Sequence, residues 1–370
     1  MTDKSTPFCY APWTTVSYGG IFGGGGTAPC CEWKGTRFTG DVKDYDASEY
    51  LENIKNAMAN HDMKMIRKTC EECIIAEKHG NKSARNYIER DITTPNVHTR
   101  YEIGKLNKLD YRPDNLCNLK CRMCSMHSSS LIEEEFVANG YDPIEQRDTT
   151  DVMDFDLSNL KKLAILGGEP TVNKKTFPIL DYLIENKMNE TTKLNYTTNC
   201  TSINKPWMSR IEKFKNVHIN LSIDAAGKAY EYIRTGAEWK KVKNNIPKII
   251  SLAEDYSIAM VVQTTSFAII EDWFEYFLQF PTESINMSPM YGMPGRLDCI
   301  PNHIKQQKID YLKKLNHPTA EKAIKHFKMH TYNPNEVRKY KHYNEWLDSL
   351  RGTSIYDLDP IFGEIFEAVL

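Results

Sequence analysis

The sequence predicts an α/β protein: an open, partial (β/α)6 barrel with an N-terminal Cys-rich module and a C-terminal helical extension. Three observations predict it. Between about 105 and 290, short β-rich runs alternate with stretches of helical periodicity, the pattern of parallel strands joined by crossover helices. Before that, the chain is aromatic, Gly-rich and Cys-bearing, with weak periodicity; after it, the chain turns basic and helical. The expected organisation is 1–100, 101–300 and 301–370.

Taken in order, the candidate strands are Leu106–Arg112, Lys161–Leu166, Lys193–Thr198, Val217–Ile223, Ile258–Thr265 and Ser284–Ser288. Between them lie helix-like segments Ser128–Ala138, Asn173–Glu185, Trp207–Phe214, Trp239–Ala253 and Glu271–Phe280. Loops that follow the strands collect at their carboxyl ends, where α/β proteins build sites. Residues 140–157 interrupt the pattern with many acids and read as an insertion or surface loop. The Gly23–Gly26 run lacks the Lys-Ser/Thr ending of a phosphate loop and reads as a hairpin tip between Trp13 and Cys30.

Composition narrows the function classes. The 370 residues carry a net charge of −2, which gives no global reason for nucleic-acid or membrane binding. No apolar run is long enough to span a bilayer, and no apolar stretch follows Met1-Thr-Asp-Lys-Ser, so a cytoplasmic protein is expected. Ten cysteines without a secretory signal point to metal or redox chemistry, and eight of them precede residue 125. Residues 303–342 hold ten Lys or Arg against three acids, a local +7 (10 − 3), with Tyr311, Phe327, Tyr332 and Tyr340 interleaved. That stretch reads as a solvated helical face, with nucleic-acid binding as the alternative. The end, from Ile361 to Leu370, reads as a docking segment.

The chemistry concentrates at Cys117, Cys121 and Cys124, spaced C-x3-C-x2-C just after the first candidate strand. Three thiolates in one short loop suit a cubane iron–sulfur cluster and leave one of its four irons open. A zinc site is the alternative, with His127 near enough in sequence to be a fourth ligand. After the second strand comes Gly167-Gly168-Glu169-Pro170, two glycines that admit close backbone approach and a carboxylate. This pairing resembles the radical S-adenosylmethionine (radical SAM) superfamily. The resemblance implies a 4Fe–4S cluster whose open iron is chelated by S-adenosylmethionine (SAM), and a 5′-deoxyadenosyl radical that takes hydrogen from a substrate. It assigns the amino group of SAM to the Gly-Gly-Glu-Pro turn. Asn199, at the end of the third strand, places a polar group where a ribose or the SAM carboxylate could bond. The resemblance carries Ser222 and Asp224 over as SAM contacts on the fourth strand and pairs Arg234 with the SAM carboxylate, with a helix cap or a surface salt bridge as the alternative for Asp224 and Arg234. Met123 stands where the family usually has an aromatic residue, and its thioether fills an apolar slot. The fifth strand lacks the family's G-x-I-x-G-x-x-E pattern.

A second set of thiols lies at the front: Cys9, Cys30, Cys31, Cys70 and Cys73, followed by Glu77 and Ser83-Ala84-Arg85. This region resembles the twitch and SPASM auxiliary-cluster modules of some radical SAM enzymes, in inverted order, similar to phage- and marine-type proteins. It implies a second, auxiliary 4Fe–4S cluster on Cys9, Cys30, Cys70 and Cys73, with Cys31 as the substitute for Cys30; a zinc knuckle is the alternative. Cys200 and Cys299 read as buried bystanders. The expected substrate is a peptide or protein side chain, with a small molecule such as a nucleotide or sugar as alternative, and the expected reductant is a flavodoxin or ferredoxin. A non-catalytic iron–sulfur or zinc binding protein is the remaining reading.

Overall fold

The computed structural model describes residues 8–19, 25–78, 82–94, 100–144, 151–290 and 292–368. Among them are ten strands: β1 Thr15–Gly19, β2 Thr27–Ala28, β3 Lys108–Arg112, β4 Lys120–Cys121, β5 Lys162–Ile165, β6 Lys193–Thr198, β7 Asn216–Ser222, β8 Arg234–Thr235, β9 Asp255–Val262 and β10 Ile285–Pro289. Eight form one sheet in the order β10-β9-β7-β6-β5-β3-β1-β2, while β4 and β8 pair separately. From β10 to β3 every neighbour is parallel, and these six strands overlap the six expected ones. The largest end-point difference is at β9, which starts earlier and stops at Val262. Thr264–Phe267 turn helical instead, because Thr264 is drawn aside by bonds from its N–H to the Gly295 carbonyl and from its hydroxyl to Arg296.

Alternation along the strands explains how the layers form. On β6 and β7 the residues Leu194, Tyr196, Val217, Ile219 and Leu221 are buried, and the Tyr196 ring meets Trp207 of the helix Lys205–Ile211 at 5.4 Å. The alternate residues Lys193, Asn195, His218 and Asn220 lie on the other, inner face. Branched aliphatic side chains usually fill a closed β/α barrel. The polar inner face of this open sheet leaves space instead.

The N-terminal region is not a separate layer. β1 runs parallel to β3, with Thr15 beside Lys108 and Gly19 beside Arg112, and β2 returns antiparallel. The boundary expected at residue 100 therefore crosses one continuous sheet. At five residues, all buried, β1 is too short to show a period of two. Helices Glu49–Ala59, Met63–Thr69, Glu71–Lys78 and Ala84–Thr93 follow. Two small clusters hold this region, Trp33, Ile54, Met58 and Ile66 in one, Ala11, Ile88 and Tyr101 in the other.

Helices Asn302–Lys314, Pro318–Met329 and Pro334–Arg351 form the C-terminal extension. Phe327 and Tyr340 are buried, and Tyr311 and Tyr332 pack half-buried on the main core. The aromatics of 303–342 are thus a core stripe, not a stacking surface between lysines. The docking segment docks on its own chain: Phe362, Ile365 and Phe366 are buried, with Phe366 5.7 Å from the Tyr340 ring. In the acidic stretch, Val152, Phe155 and Leu157 anchor in the core, so only part of it is a surface loop; residues 145–150 lie outside the described residues, as do Gly23 and Gly24 of the expected hairpin tip. Among the described residues no helix is long and apolar enough to cross a membrane.

Candidate functional site

The cysteine loop leaves the carboxyl end of β3 and is fastened to its neighbours mainly through backbone groups. The Asn115 side chain donates to the Met126 carbonyl and to Glu133, the Ser129 hydroxyl donates to Leu119, and the Arg122 N–H donates to the Ile233 carbonyl. The Gly-Gly turn after β5 lies directly on this loop. A Cβ on Gly168 would stand 1.9 Å from the Leu116 carbonyl oxygen, and one on Gly167, at φ +85°, 2.8 Å from that of Asp114. Only glycine permits the Glu169 N–H to reach the Leu116 carbonyl at 2.8 Å.

Glu169 is buried, and its carboxylate ties two strand ends together. Oε1 accepts from the Thr171 N–H and hydroxyl and from the Thr198 hydroxyl; Oε2 accepts from the Asn199 N–H at 2.7 Å. Burial pushes its carboxyl above the ordinary value, and these donors pull the other way. Pro170 opens the short turn Pro170–Val172. The Asn199 side chain donates to Asn118 of the cysteine loop at 2.9 Å, and the Tyr230 hydroxyl donates to the Asn199 carbonyl. Ser222 ends β7, half-buried, and Met123 packs partly buried on the core beside the thiols.

Asp224 and Arg234 are placed together. Arg234 Nε donates to Asp224 Oδ2 at 2.8 Å, and the Val261 N–H donates to Asp224 Oδ1. The other end of the guanidinium points from Nη1 to Cys121 Sγ, 3.7 Å away. The short ladder of β4 and β8, with Cys121 opposite Arg234, sets this contact. Arg234 is thus committed to an internal acid and to a thiol, whereas the resemblance gave it the SAM carboxylate.

Burial pushes the Cys117 thiol up to about 11 and raises Cys121 and Cys124 as well, with Arg234 pulling all three down. Among the described residues, no three His, Cys, Asp or Glu side chains are arranged to hold a single metal ion. A cubane puts each thiolate on its own iron, so it asks the thiols to surround a cluster-sized space instead of meeting at one point. His127, the zinc alternative's fourth ligand, is exposed. Three thiols on one loop and a cationic donor on Cys121 fit a cluster with one open iron.

The front cysteines sort themselves. Cys9, Cys30, Cys70 and Cys73 line one apolar cavity with Met58, Ile66 and Ile88. Cys31 does not; its charged neighbours are Asp110 and Lys108. Arg85 closes the cavity edge, bonded to Glu77 and to the Phe8 carbonyl. Cys9 precedes β1, and Cys30 follows its antiparallel partner β2, so both lie at the amino end of β1. The cysteine loop leaves the opposite, carboxyl end. Cys200 and Cys299 are buried, each sulfur near an oxygen (the Thr198 carbonyl and Asp298). Arg122, Asn118 and Tyr230 went unnoticed in the sequence. A charged Arg122 between two cysteines was the one local signal among them.

The model of the radical SAM superfamily matches residues 111–277, which run from the last two residues of β3 through the helix Ile270–Phe277. No curated protein matches. Among solved structures, "Native anSMEcpe with bound AdoMet" is 19% identical, over 55% of this chain and 58% of that one, at a TM-score of 0.37. "Crystal structure of Streptococcus suis SuiB bound to precursor peptide SuiA" is 14% identical, over 76% and 54%, at 0.37. "Structure of TYW1 with a lysine-pyruvate adduct bound" is 18% identical, over 54% and 70%, at 0.31. The chain spans less than two thirds of the first two, and TM-scores this low add nothing to the architecture described above. The family match falls on the cysteine loop and the Gly-Gly-Glu-Pro turn, the two segments the structure packs together: residues 111–277 match a radical SAM domain.

Proposed function

We propose that Cys117, Cys121 and Cys124 hold a 4Fe–4S cluster and that the chain uses it on SAM to modify a peptide or protein side chain. The observation that carries this reading is the contact of the Gly167-Gly168 turn with the backbone of the cysteine loop. When bound, the reduced cluster supplies the electron that breaks the C5′–S bond of SAM, giving methionine and a 5′-deoxyadenosyl radical that abstracts hydrogen from substrate. The chain's own residues provide the setting. Gly167 and Gly168 let the backbone of the cysteine loop lie against the turn that carries Glu169, and Glu169, anchored by four donors, keeps lone pairs on Oε2 for an ammonium group. Arg234 places positive charge at Cys121, and Asn199 joins the end of β6 to the cysteine loop through Asn118. Ser222 offers a half-buried hydroxyl at the end of β7.

The auxiliary site we propose is Cys9, Cys30, Cys70 and Cys73, which saturate a second 4Fe–4S cluster. The peptide class rests on the subgroup that this module resembles, as does a flavodoxin or ferredoxin donor. The test is 5′-deoxyadenosine formation by anaerobically reconstituted, reduced protein, assayed with host lysate fractions separated by molecular weight. Formation that depends on the peptide fraction and is lost in Cys121→Ala supports the reading. Formation driven only by the small-molecule fraction replaces the peptide by a nucleotide- or sugar-like substrate, and none in any fraction leaves a binding protein. For the auxiliary site, iron per chain is compared in Cys30→Ser and Cys31→Ser. Loss of about half in the first and none in the second is expected; zinc in place of iron would make it a knuckle.

A further inference from the structure

At the amino-terminal end of the strands lies a recess of about 610 Å³, a volume typical of small-molecule sites. Lys162, Lys193, Asn195 and His218 of the inner sheet face line it, and Tyr87 and Arg90 of the helix Ala84–Thr93 form the opposite wall. It stands apart from the cysteine loop. From Lys193, at the start of β6, to Asn199 beyond its end is six residues, or about 20 Å at a strand rise of about 3.3 Å.

Three lysines occupy one register row here: Lys108 on β3, Lys162 on β5 and Lys193 on β6. Neighbouring strands are about 4.8 Å apart, so this row sets like charges side by side, an arrangement that destabilises a sheet. Two are answered from within the chain. Lys108 pairs with Asp110 at 2.8 Å, and Lys193 with Asp255 at 3.5 Å. The middle one is not: among the described residues, no ion pair or hydrogen bond reaches the Lys162 ammonium, though it is half-buried.

Among the described residues, no acid lining the recess is free to serve it. Asp91 pairs with Arg90 at 2.6 Å, and Asp255 also takes His218 Nδ1 at 2.7 Å. Asn195 Oδ1 is buried in the recess wall without a partner. Burial, then Lys108 and Lys193, lower the Lys162 ammonium below the ordinary lysine value, against an opposing pull from Asp110 and Asp91. A bound anion would reverse that effect.

We propose that this recess is an anion-binding site, in which Lys162, flanked by Lys108 and Lys193, receives a phosphate or carboxylate group. Asn195 Oδ1 accepts from a hydroxyl of the same ligand, and the Tyr87 ring, largely exposed, walls the entrance. Neither the iron–sulfur ligands nor SAM is required for the site to exist, so its fate is independent of the proposed reaction.

The test is calorimetric titration of the full-length protein with inorganic phosphate and with citrate at constant ionic strength. Saturable one-site binding of at least one probe is expected, weakened tenfold or more in Lys162→Gln and unchanged in Lys313→Gln, an exposed lysine elsewhere. Phosphate alone identifies a phosphoryl ligand, and citrate alone a carboxylate. No saturable binding, full binding by Lys162→Gln, or equal weakening in Lys313→Gln overturns the proposal. Should Lys162→Gln fail to fold, the wild-type protein answers through lysine acetylation mapped by mass spectrometry. The probe should slow acetylation of Lys162 at least fivefold but not that of Lys313, and equal rates with and without probe overturn the site.

Discussion

Arg122, the residue after Cys121, forms an ion pair with Asp348, 226 residues further on, at 2.5 Å. Its guanidinium also lies over the Tyr232 ring, 3.6 Å from the centroid, and reaches Asn344. From the other side, the Tyr343 hydroxyl donates to the Arg122 carbonyl at 2.7 Å. The helix Pro334–Arg351 therefore braces the cysteine loop from outside the barrel. Both charged side chains are nearly buried, 3% and 12% exposed, so the pair is deprived of water and depends on staying intact. Arg122→Ala should lower unfolding stability by about 3–5 kcal/mol, the range for stranding one member of a buried pair. In denaturant titrations the double variant Arg122→Met, Asp348→Leu should recover much of that loss. Additive losses would mean that the two residues act independently.

Glu135 gives the same brace a pH dependence. It accepts from Lys120 at 2.7 Å and from Arg351 at 2.6 Å. Burial opposes its charge, but Arg351 and then Lys120 outweigh it and hold the carboxyl below the usual range. A lowered folded value means stability that is present above the unfolded value of about 4.3 and lost as pH falls through the folded one. Melting temperatures of wild type and Glu135→Gln should differ by a constant amount from pH 7 to about pH 5 and converge below about pH 4. A gap that persists undiminished at low pH would exclude the charge as its source.

Gly168→Ala tests the contact between turn and loop. With a Cβ 1.9 Å from the Leu116 carbonyl, backbone must move, and overpacking of this kind costs about 1–3 kcal/mol. The expected result is weakened SAM binding by calorimetry and lower iron retention. Gly227→Ala, at positive φ and with open space around it, should cost about 1 kcal/mol from backbone strain alone and leave both properties intact. Equal effects of the two substitutions would mean that the contact between turn and loop is not the source of the loss.

Arg234→Gln removes the positive charge that faces Cys121 and strands Asp224 in the interior. A hydrogen bond and a cation at a cluster sulfur favour the reduced, more negative state. The cluster's reduction potential should fall in Arg234→Gln and return part of the way in Arg234→Lys, as followed by electron paramagnetic resonance during redox titration. A potential equal to wild type would leave Arg234 a purely structural role.

The α/β architecture was legible because its signals are local. Alternation marks a strand within six residues, and the six parallel strands from β3 to β10 lie where their runs of β-branched and apolar residues put them. The two thiol groups and the Gly-Gly turn were equally plain, since ligand spacing is a property of contiguous residues. β1 was not legible: five buried residues between a helical turn and a glycine run carry no period.

What the sequence by itself determined about this protein is its alternating β/α chain, the three thiols of one loop and the glycines that follow the next strand. Only the tertiary structure decided that Cys30 and not Cys31 faces Cys9, Cys70 and Cys73, because adjacent residues share a sequence context and differ only in direction. It also decided that Arg122 answers Asp348, that Arg234 is bound to Asp224 and Cys121, and that Lys162 stands between two lysines on neighbouring strands. Each of these depends on residues brought together by strand register or helix packing, and that proximity is a property of the folded chain, with no signature in the spacing of residues along it.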